Sequence, residues 1–156
     1  MISIKYIKDD ATQPEGVGNK LIVHICNDIG VWGKGFVKVI SSRYSSPEKE
    51  YLDWYQSGDT FCLGEVQFVK VSDSIWVANM IAQKDLFPLE GLPPVRYEAV
   101  RKCLVKAAAF AIHNSCNIHM PRMGSGLAGG KWSLIEPIIN EELITRNIHV
   151  TVYDLG

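Results

Sequence analysis

The sequence lacks the features that mark membrane, secreted or nucleic-acid-binding proteins. No apolar run reaches the length of about 18 residues that a membrane-spanning helix requires. The first residues show no charged segment, apolar core and cleavage site of a secretory signal. Lysine and arginine number 16 against 17 acidic residues, so the basic excess typical of nucleic-acid binders is missing. We therefore expect a cytoplasmic protein with no membrane or nucleic-acid partner.

Cysteine and histidine do not occur in the patterns that build metal sites or disulfide frameworks. The four cysteines, Cys26, Cys62, Cys103 and Cys116, form no C-x-x-C pair and no cluster with histidine at zinc spacing. We therefore expect reduced thiols, no metal and no cofactor. With 156 residues and a hydrophobic fraction of 47%, the chain can bury a full core as a single domain, residues 1–156.

Apolar periodicity predicts strands alternating with helices, in the order β, β, α, α, β, β, α, β, α, β. This order indicates an α/β fold whose sheet is covered on both faces. The two places where a strand follows a strand predict a mixed sheet. The strands are predicted at residues 2–6, 21–25, 65–71, 75–82, 118–121 and 149–153.

Local signals predict where three of the helices begin. Ser46-Pro47-Glu48 supplies a serine cap, a proline at the first position and an acid in the first turn, and that helix runs to Tyr55. Pro93-Pro94 opens a long helix that ends near residue 114. Ser133-Leu134-Ile135-Glu136 fits a capping box, and Pro137 is then expected in the first turn.

The stretch from Leu21 to Tyr44 predicts a buried strand, a glycine-rich loop and a helix that starts at Phe36. Glycines allow positive φ and close approach of the backbone to a ligand, and free N–H groups at a helix start attract anions. Gly33-Lys34-Gly35 fits neither a dinucleotide-binding fingerprint, which needs a third glycine, nor a Walker A loop, which needs serine or threonine after Gly-Lys. The alternative is that these glycines only form a turn.

A second glycine loop, residues 124–130, also follows a short buried strand and precedes a helix. Both loops should therefore lie at the same edge of the sheet, beyond the carboxyl ends of the strands. Two loops facing each other would form a slot lined by N–H groups, which suits a diphosphate. Trp32 and Trp132 flank the loops, where they either wall an adenine or ribose or simply pack at the rim.

At these loops the sequence resembles the macrodomain family, whose members bind ADP-ribose. Asp10-Ala11-Thr12 resembles the family's Asp-Ile-Thr, in which the aspartate receives the adenine amino group. Residues 23–27, Val-His-Ile-Cys-Asn, stand where the family usually has Val-Asn-Ala-Ala-Asn. Gly33-Lys34-Gly35 matches the first phosphate loop, and Gly124-Ser125-Gly126-Leu127 matches the second. The resemblance spans nearly the whole chain and implies a three-layer α/β/α fold with a mixed, mostly parallel central sheet.

Residues 120–127 look most like the branch that contains the terminal ADP-ribose protein glycohydrolase, and His24 matches that branch as well. The branch uses a lysine after its fourth strand, where this chain has Gln83 and Lys84 side by side. It also uses an aspartate just after the Gly-Leu of the second loop, where this chain has Ala128. Because alanine can neither accept a proton nor position a water molecule, the resemblance implies binding more fully than chemistry.

The resemblance and the loop pattern imply a set of ligand-binding residues. They are Asp10, Ala11, His24, Gly33, Lys34, Gly35, Gln83, Gly124, Ser125, Gly126, Leu127 and Ala128. Three of them have a purely structural role as the alternative to ligand binding: Asp10 as a turn cap, Lys34 as a solvated loop lysine and His24 as a hydrogen-bonded core histidine.

Three residues are candidates for chemistry at the distal ribose. Asn27 would position the substrate hydroxyl or an attacking water, and Asp28 is a general base if it points into the slot. Lys84 would stabilise developing negative charge, or attack the anomeric carbon if a dry site keeps its amine neutral.

The favoured hypothesis is a hydrolase that acts on an ADP-ribose derivative at the distal ribose. The substrate would be O-acyl-ADP-ribose, a protein-ester-linked ADP-ribose, so that the activity is de-ADP-ribosylation, or ADP-ribose-1″-phosphate. The alternative is a non-catalytic ADP-ribose reader, which Ala128 favours. A metal-dependent phosphatase is disfavoured because only Asp28 and Asp10 supply carboxylates near the loops. We expect a monomer whose partner is ADP-ribose or an ADP-ribosylated substrate.

Overall fold

The computed structural model describes residues 2–155, and the side chain of Leu127 lies outside that description. Within these residues, six strands form one sheet between two layers of helices. The strands are β1 (Lys5–Lys8), β2 (Asn19–Asn27), β3 (Val66–Lys70), β4 (Ile75–Gln83), β5 (Cys116–Pro121) and β6 (Val150–Asp154). The helices are α1 (Phe36–Arg43), α2 (Ser46–Ser57), α3 (Tyr97–His113) and α4 (Trp132–Glu142), and single 3₁₀ turns cover Gly126–Ala128 and Ile144–Arg146.

The sheet has the strand order β1-β6-β5-β2-β4-β3. Strands β1, β6, β5, β2 and β4 run parallel to their neighbours, and β3 is antiparallel to β4 at the edge. The predicted fold class, a three-layer α/β/α fold with a mixed and mostly parallel sheet, is confirmed. Only one of the two places where a strand follows a strand gives an antiparallel pair, because β1 and β2 are not neighbours. The polar connection 9–18 is longer than a hairpin turn, and two other strands separate β1 from β2.

The core has two parts, one on each face of the sheet. Alternate residues of β2 point to opposite faces, so that Ile22 packs with α1 and α2 while Leu21 and Val23 pack with α3 and α4. Ile40 and Tyr51 anchor the two short helices and are fully buried. The continuous apolar run of β2 therefore reflects burial on both faces, as expected for a central parallel strand. No helix among residues 2–155 combines the length and apolar character needed to cross a bilayer.

The proline of α2 lies in the first turn as predicted, whereas the predicted serine cap at Ser46 is wrong and α3 starts later than predicted. Helix α2 has proline in its first turn and ends at Gly58, which has a left-handed φ of 73°, although Ser45 rather than Ser46 occupies the cap position. Helix α3 begins at Tyr97 and not at the prolines. The Val95 N–H donates to the Ala128 carbonyl over 3.1 Å, and this bond holds the segment after the prolines in an extended conformation.

Helix α4 begins without the predicted capping box. Its cap residue is Lys131, which makes no side-chain cap bond. The Lys131 N–H instead donates to the Tyr97 hydroxyl over 3.0 Å, and the Glu136 carboxylate accepts a hydrogen bond from the Tyr6 hydroxyl. Pro137 lies inside the helix rather than in its first turn. The sequence signal failed here because tertiary partners from α3 and β1 satisfy these groups.

Two histidines are buried within the sheet. His24 on β2 is 2% exposed and its Nε2 lies 2.6 Å from Asn79 Oδ1; His119 on β5 is 3% exposed and its Nδ1 lies 2.7 Å from the Tyr153 hydroxyl. The other ring nitrogen of each has no hydrogen-bond partner in the described chain. Burial lowers the pKa of each imidazole to about 4, because removal from water disfavours the charged form.

These pKa values predict a loss of stability in mild acid. The unfolded state binds more protons than the folded state between pH 6.5 and pH 4, so stability is complete above this window and falls as the pH falls through it. From pH 7 to pH 5, each buried imidazole should lower the free energy of unfolding by about 2 kcal/mol. Urea unfolding at both pH values measures this loss.

Histidine variants assign the effect. His119→Phe should remove roughly half of the pH-dependent loss. His113→Phe, at an exposed position near the end of α3, should leave it unchanged. Equal stability of the wild-type protein at pH 7 and pH 5 would contradict the prediction.

Candidate functional site

Three adjoining cavities form a groove along the edge of the sheet where the parallel strands end. The middle cavity, of about 310 Å³, lies between the two glycine loops. Lys34 and Gly35 of the first loop line it, as do residues 124–126 of the second. The two loops that the sequence predicts at one edge of the sheet thus do face each other across a single space.

The first loop presents unpaired backbone N–H groups to this space. Gly33 and Gly35 have left-handed φ values of 64° and 82°, which strain any side-chain-bearing residue. Gly35 is the cap residue of α1, and a Cβ added there would meet no atom within 4 Å, so the loop is open towards the groove. Within residues 2–155, the N–H groups of Gly35, Phe36 and Val37 donate to no protein acceptor. Their alignment with the α1 dipole favours an anion.

The second loop is shaped by close backbone packing. The Gly130 N–H donates to the Gly124 carbonyl over 2.7 Å. A Cβ on Gly130 would lie 2.4 Å from that carbonyl oxygen, and one on Gly124 would lie 2.5 Å from Ile135 Cδ1. In the described chain, the N–H groups of Gly124, Ser125 and Gly126 donate to no protein acceptor. This loop therefore adds a second row of free donors opposite the first.

The proximal cavity, of about 410 Å³, continues the groove toward β1 and β6. Its lining residues are Asp9, Ala11, Gly35, Phe36, Val39, Pro121, Arg122, Tyr153, Asp154 and Leu155. Asp9 rather than Asp10 lines it. The Asp10 carboxylate accepts hydrogen bonds from the Thr12 N–H over 2.8 Å and the Thr12 hydroxyl over 2.7 Å. These bonds correspond to the turn-cap alternative, and contact of Asp10 with adenine stays a prediction.

Arg122 lines both the proximal and the middle cavity, and sequence reasoning missed it. Its guanidinium lies 4.9 Å from the Tyr6 ring centroid and 5.4 Å from the Trp132 ring centroid. Its Nε donates to Asp154 Oδ1 over 2.6 Å. The one sequence signal was its place directly before the second loop, because its partners come from β1, α4 and β6. Trp132 thus serves as a rim packing residue.

The distal cavity, of about 360 Å³, extends the groove beyond the first loop. It shares Ile25, Lys34, Val37 and Gln83 with the middle cavity. Its other lining residues are Cys26, Asn27, Val31, Trp32, Gly33, Leu86 and Phe87. The Trp32 Nε1 donates to Ser41 Oγ over 2.7 Å, which fixes the indole as part of the wall.

Asn27 lies at the end of β2 and organises the loop that follows. Its Oδ1 accepts from the N–H groups of Ile29 and Val31, each over 3.1 Å, and from the Tyr51 hydroxyl over 2.9 Å. Its Nδ2 donates to the Val31 carbonyl over 2.6 Å. Asn27 also lines the distal cavity, which is compatible with the role predicted for it. That it positions a hydroxyl or a water molecule stays a prediction.

Asp28 and Lys84 form an ion pair beside the distal cavity. Asp28 Oδ2 lies 3.1 Å from Lys84 Nζ, and Asp28 Oδ1 accepts from the Asp85 N–H over 2.8 Å. A bulge in the pairing of β2 with β4 sets Asn27 opposite Gln83. Of the two adjacent candidates after β4, Gln83 therefore lines the groove, whereas Lys84 points to Asp28. The catalytic roles of Asp28 and Lys84 stay predictions.

His24 and Ala128 contribute to the walls of the middle cavity, and Ala11 to those of the proximal cavity. The His24 ring lies between Asn79 and Trp32, and burial lowers its pKa to about 4. These contacts correspond to the core-histidine alternative, and contact of His24 with a ligand stays a prediction. The side chain of Leu127 lies outside the described residues. Ala128 supplies its carbonyl to Val95 and has no acidic group.

The fold and the groove define a class of α/β/α domain in which two glycine turns face each other beyond the strand ends. Two solved structures have a closely similar fold. A Bacteroides thetaiotaomicron protein of unknown function is 57% identical with a TM-score of 0.98, and 99% of each chain is covered. A macrodomain protein from Streptomyces coelicolor is 46% identical with a TM-score of 0.87, over 99% of this chain and 100% of that one. The chain belongs to the macrodomain family.

More distant relatives carry more specific names. A Chromodomain-helicase-DNA-binding protein 1-like from Danio rerio is 28% identical over 97% of this chain, which spans 15% of that protein's length. A Candida albicans protein named ADP-ribose 1″-phosphate phosphatase is 26% identical over 96% of this chain and 98% of its own length. No family model matches the sequence.

The packing of the second loop predicts that two of its glycines respond differently to alanine. Gly130→Ala places a methyl group against a backbone carbonyl and should lower the free energy of unfolding by about 2–3 kcal/mol. Gly126→Ala meets no atom within 4 Å and should cost only the left-handed backbone strain, about 1 kcal/mol. Denaturant unfolding of both variants tests this order, and a Gly126→Ala cost equal to that of Gly130→Ala would contradict it.

Proposed function

We propose that this macrodomain binds ADP-ribose along the groove. The diphosphate lies between the two glycine loops, the adenosine lies in the proximal cavity and the second ribose lies in the distal cavity. The observation that carries the proposal is that Gly35 and residues 124–126 line one cavity from opposite sides. A diphosphate carries negative oxygens on two phosphorus atoms, and two rows of free N–H groups match that arrangement.

The charges around the middle cavity support the same ligand. Lys34 and Arg122 are the cations among its lining residues, and no carboxylate belongs to that lining. Because the remaining donors are backbone groups, the site needs no cluster of basic residues. The near-neutral net charge of −1 is therefore compatible with an anionic ligand.

The proximal cavity suits a nucleoside. Ala11, Phe36, Val39 and Leu155 provide apolar walls, and Asp9 adds a carboxylate that can accept from an amino group. The resemblance of residues 10–12 to the family's adenine-binding segment supports this direction of binding. The name of the Candida albicans relative supports an ADP-ribose derivative as ligand.

A negative charge placed between the loops should weaken the binding of ADP-ribose. Ser125→Asp puts a carboxylate on the wall of the middle cavity, and we expect it to weaken ADP-ribose at least tenfold, about 1.4 kcal/mol, by repulsion. Calorimetric titration with ADP-ribose measures the change. Ser133→Asp, the same substitution at an exposed position of α4, serves as the matched control and should bind like the wild type. No heat with ADP-ribose at millimolar concentration would overturn the proposal.

The proposal extends to hydrolysis of a derivative at the distal ribose. The Asp28–Lys84 pair lies one residue beyond Asn27 and Gln83, and these two side chains line the distal cavity. In this arrangement Asp28 takes a proton from a water molecule that attacks the acyl carbon or the phosphorus of the substituent, and Lys84 stabilises the negative charge that develops. The bond from that atom to the ribose oxygen then breaks, and the ribose oxygen takes up the proton from Asp28. Beside this cavity the Lys84 side chain is 46% exposed and the Asp28 side chain 12% exposed.

A reader without catalysis is the second candidate. Two observations favour it: Ala128 supplies no acid in the second loop, and the Asn27 carboxamide oxygen already accepts three hydrogen bonds. In a reader, the Asp28–Lys84 pair only ties β2 to the segment after β4. The two candidates share the groove and differ in whether a bound ester or phosphate is released.

Release assays separate the two candidates. The wild type is incubated with O-acetyl-ADP-ribose, glutamate-linked ADP-ribose and ADP-ribose-1″-phosphate. We expect turnover of at least one substrate, and a loss of at least about 100-fold in Lys84→Gln and in Asp28→Asn, because the first removes the stabilising cation and the second removes the base. ADP-ribose affinity, measured in parallel, should stay within about threefold.

The control is a second ion pair of the same composition. Lys49 and Asp53 form a pair of 2.8 Å on the exposed face of α2. Lys49→Gln and Asp53→Asn should leave turnover unchanged. Binding of ADP-ribose without release from any of the three substrates would favour the reader over the hydrolase.

A further inference from the structure

The Asn27 carboxamide is held in one orientation at the end of β2. Its Oδ1 accepts from the N–H groups of Ile29 and Val31, each over 3.1 Å, and from the Tyr51 hydroxyl over 2.9 Å. Its Nδ2 donates to the Val31 carbonyl over 2.6 Å. Three donors meet at the oxygen and an acceptor lies beside the nitrogen, so exchanging the two ends would leave all four groups without a partner.

This orientation leaves Asn27 with one N–H group for the distal cavity. A carboxamide nitrogen carries two N–H groups, and within the described chain only the one directed to Val31 has an acceptor. Asn27 is 7% exposed and lines the distal cavity. Because its oxygen already accepts three hydrogen bonds, the side chain offers this cavity a donor and not an acceptor. Such a donor suits an oxygen atom of a bound sugar.

Tyr51 is the one partner of the Asn27 carboxamide that comes from another part of the fold. Ile29 and Val31 belong to the loop that follows Asn27, whereas Tyr51 belongs to α2. Its hydroxyl also lies 2.8 Å from the Asn27 carbonyl oxygen. Burial raises the pKa of this phenol well above its ordinary value, so the hydroxyl keeps its proton and remains a donor. Tyr51 is not among the residues that line the three cavities of the groove.

The surrounding core fixes the position of the Tyr51 hydroxyl. The side chain is fully buried, and its ring centroid lies 5.5 Å from that of Trp32 and 5.7 Å from that of Phe61. Helix α2 is itself tied to the sheet, because Asn79 Nδ2 on β4 donates to the Pro47 carbonyl over 3.1 Å. The hydroxyl therefore refers the orientation of Asn27 to the sheet and not only to the loop.

We propose that Tyr51 is a positioning residue for the distal cavity. Its hydroxyl holds the Asn27 carboxamide with a donor toward the second ribose, and so determines how much that ribose adds to the affinity. This inference rests on the proposed binding of ADP-ribose and extends it to a residue outside the groove. Without the hydroxyl, only N–H groups of residues 29–31 hold Oδ1, and these move with their own loop.

Two ligands that differ by the second ribose test the proposal. ADP-ribose and the methyl ester of ADP at its terminal phosphate share the adenosine, the diphosphate and the charge. The ratio of their dissociation constants, measured by calorimetry, therefore reports the contribution of the second ribose. Tyr51→Phe removes only the hydroxyl and should lower this ratio about fivefold, the effect of one hydrogen bond to the ligand that is no longer aligned.

A second tyrosine hydroxyl supplies the matched control. The Tyr44 hydroxyl donates to the Thr12 carbonyl over 3.1 Å, in the segment that follows β1. Tyr44→Phe should therefore leave the ratio unchanged. A general effect of Tyr51→Phe on the fold would weaken both ligands equally and would not change the ratio either.

Coupling between two variants separates a positioning role from any other effect of Tyr51. Asn27→Ala should lower the ratio by itself, at least about fivefold. Adding Tyr51→Phe to Asn27→Ala should lower it no further, because Tyr51 acts on the ligand only through Asn27. A further fall of the ratio in the double variant would overturn the proposal.

A measurement on the wild type covers the case in which Tyr51→Phe does not fold. The Asn27 carboxamide gives two N–H signals in a nitrogen–proton NMR spectrum. We expect ADP-ribose, and not the methyl ester, to shift the signal of the N–H that has no protein acceptor. The Tyr51 hydroxyl proton should be protected from exchange with solvent. A rapidly exchanging hydroxyl proton, or Asn27 signals that ADP-ribose leaves in place, would contradict the proposal.

Failure of this inference is distinguishable from failure of the proposed function. If ADP-ribose binds but Tyr51→Phe leaves the ratio intact, or the two ligands bind the wild type equally, the inference is overturned and ADP-ribose binding stands. If neither ligand binds the wild type, both fail.

Discussion

The groove depends on backbone N–H groups that donate to no protein acceptor among the described residues. A buried or partly buried donor without a partner is costly, so such groups persist only where the surrounding structure holds them open. Gly35 achieves this at the start of α1 with a backbone conformation that other residues rarely adopt, and Gly124 and Gly130 achieve it by close packing of one backbone on another. The same geometry that leaves these donors unsatisfied makes them available to an anion.

The sheet brings the two rows of donors together. Strands β2 and β5 are parallel neighbours, so the loops that follow them leave the sheet at the same edge. Burial on both faces fixes β2 in the centre of the sheet, because Ile22 and Leu21 belong to separate cores that each require their own layer of helices. A shift of one residue in β2 would exchange these faces, and the position of the first loop would change with it.

Along the groove, the wall chemistry changes in three steps. The proximal cavity combines apolar walls with the carboxylates of Asp9 and Asp154, the middle cavity presents N–H groups, and the distal cavity is largely apolar. Arg122 lies at the first junction, held by Asp154 and two aromatic rings, and Lys34 lies at the second. Under the proposed function, the three kinds of surface would accommodate, in order, a base, a diphosphate and a ribose with its substituent.

Periodicity and glycine placement in the sequence were sufficient for the element order, the fold class and the two loops, because these depend on local backbone preference and on which faces are apolar. Contacts between distant segments decided the rest. Only the tertiary structure shows that a bulge turns Gln83 and not Lys84 toward the groove, and that Tyr97 binds the residue before α4 where a capping box was predicted. The sequence pattern reflects the burial of each residue along its own strand or helix. A hydrogen bond between residues 126 apart, as between Trp132 and Tyr6, forms only when the layers pack.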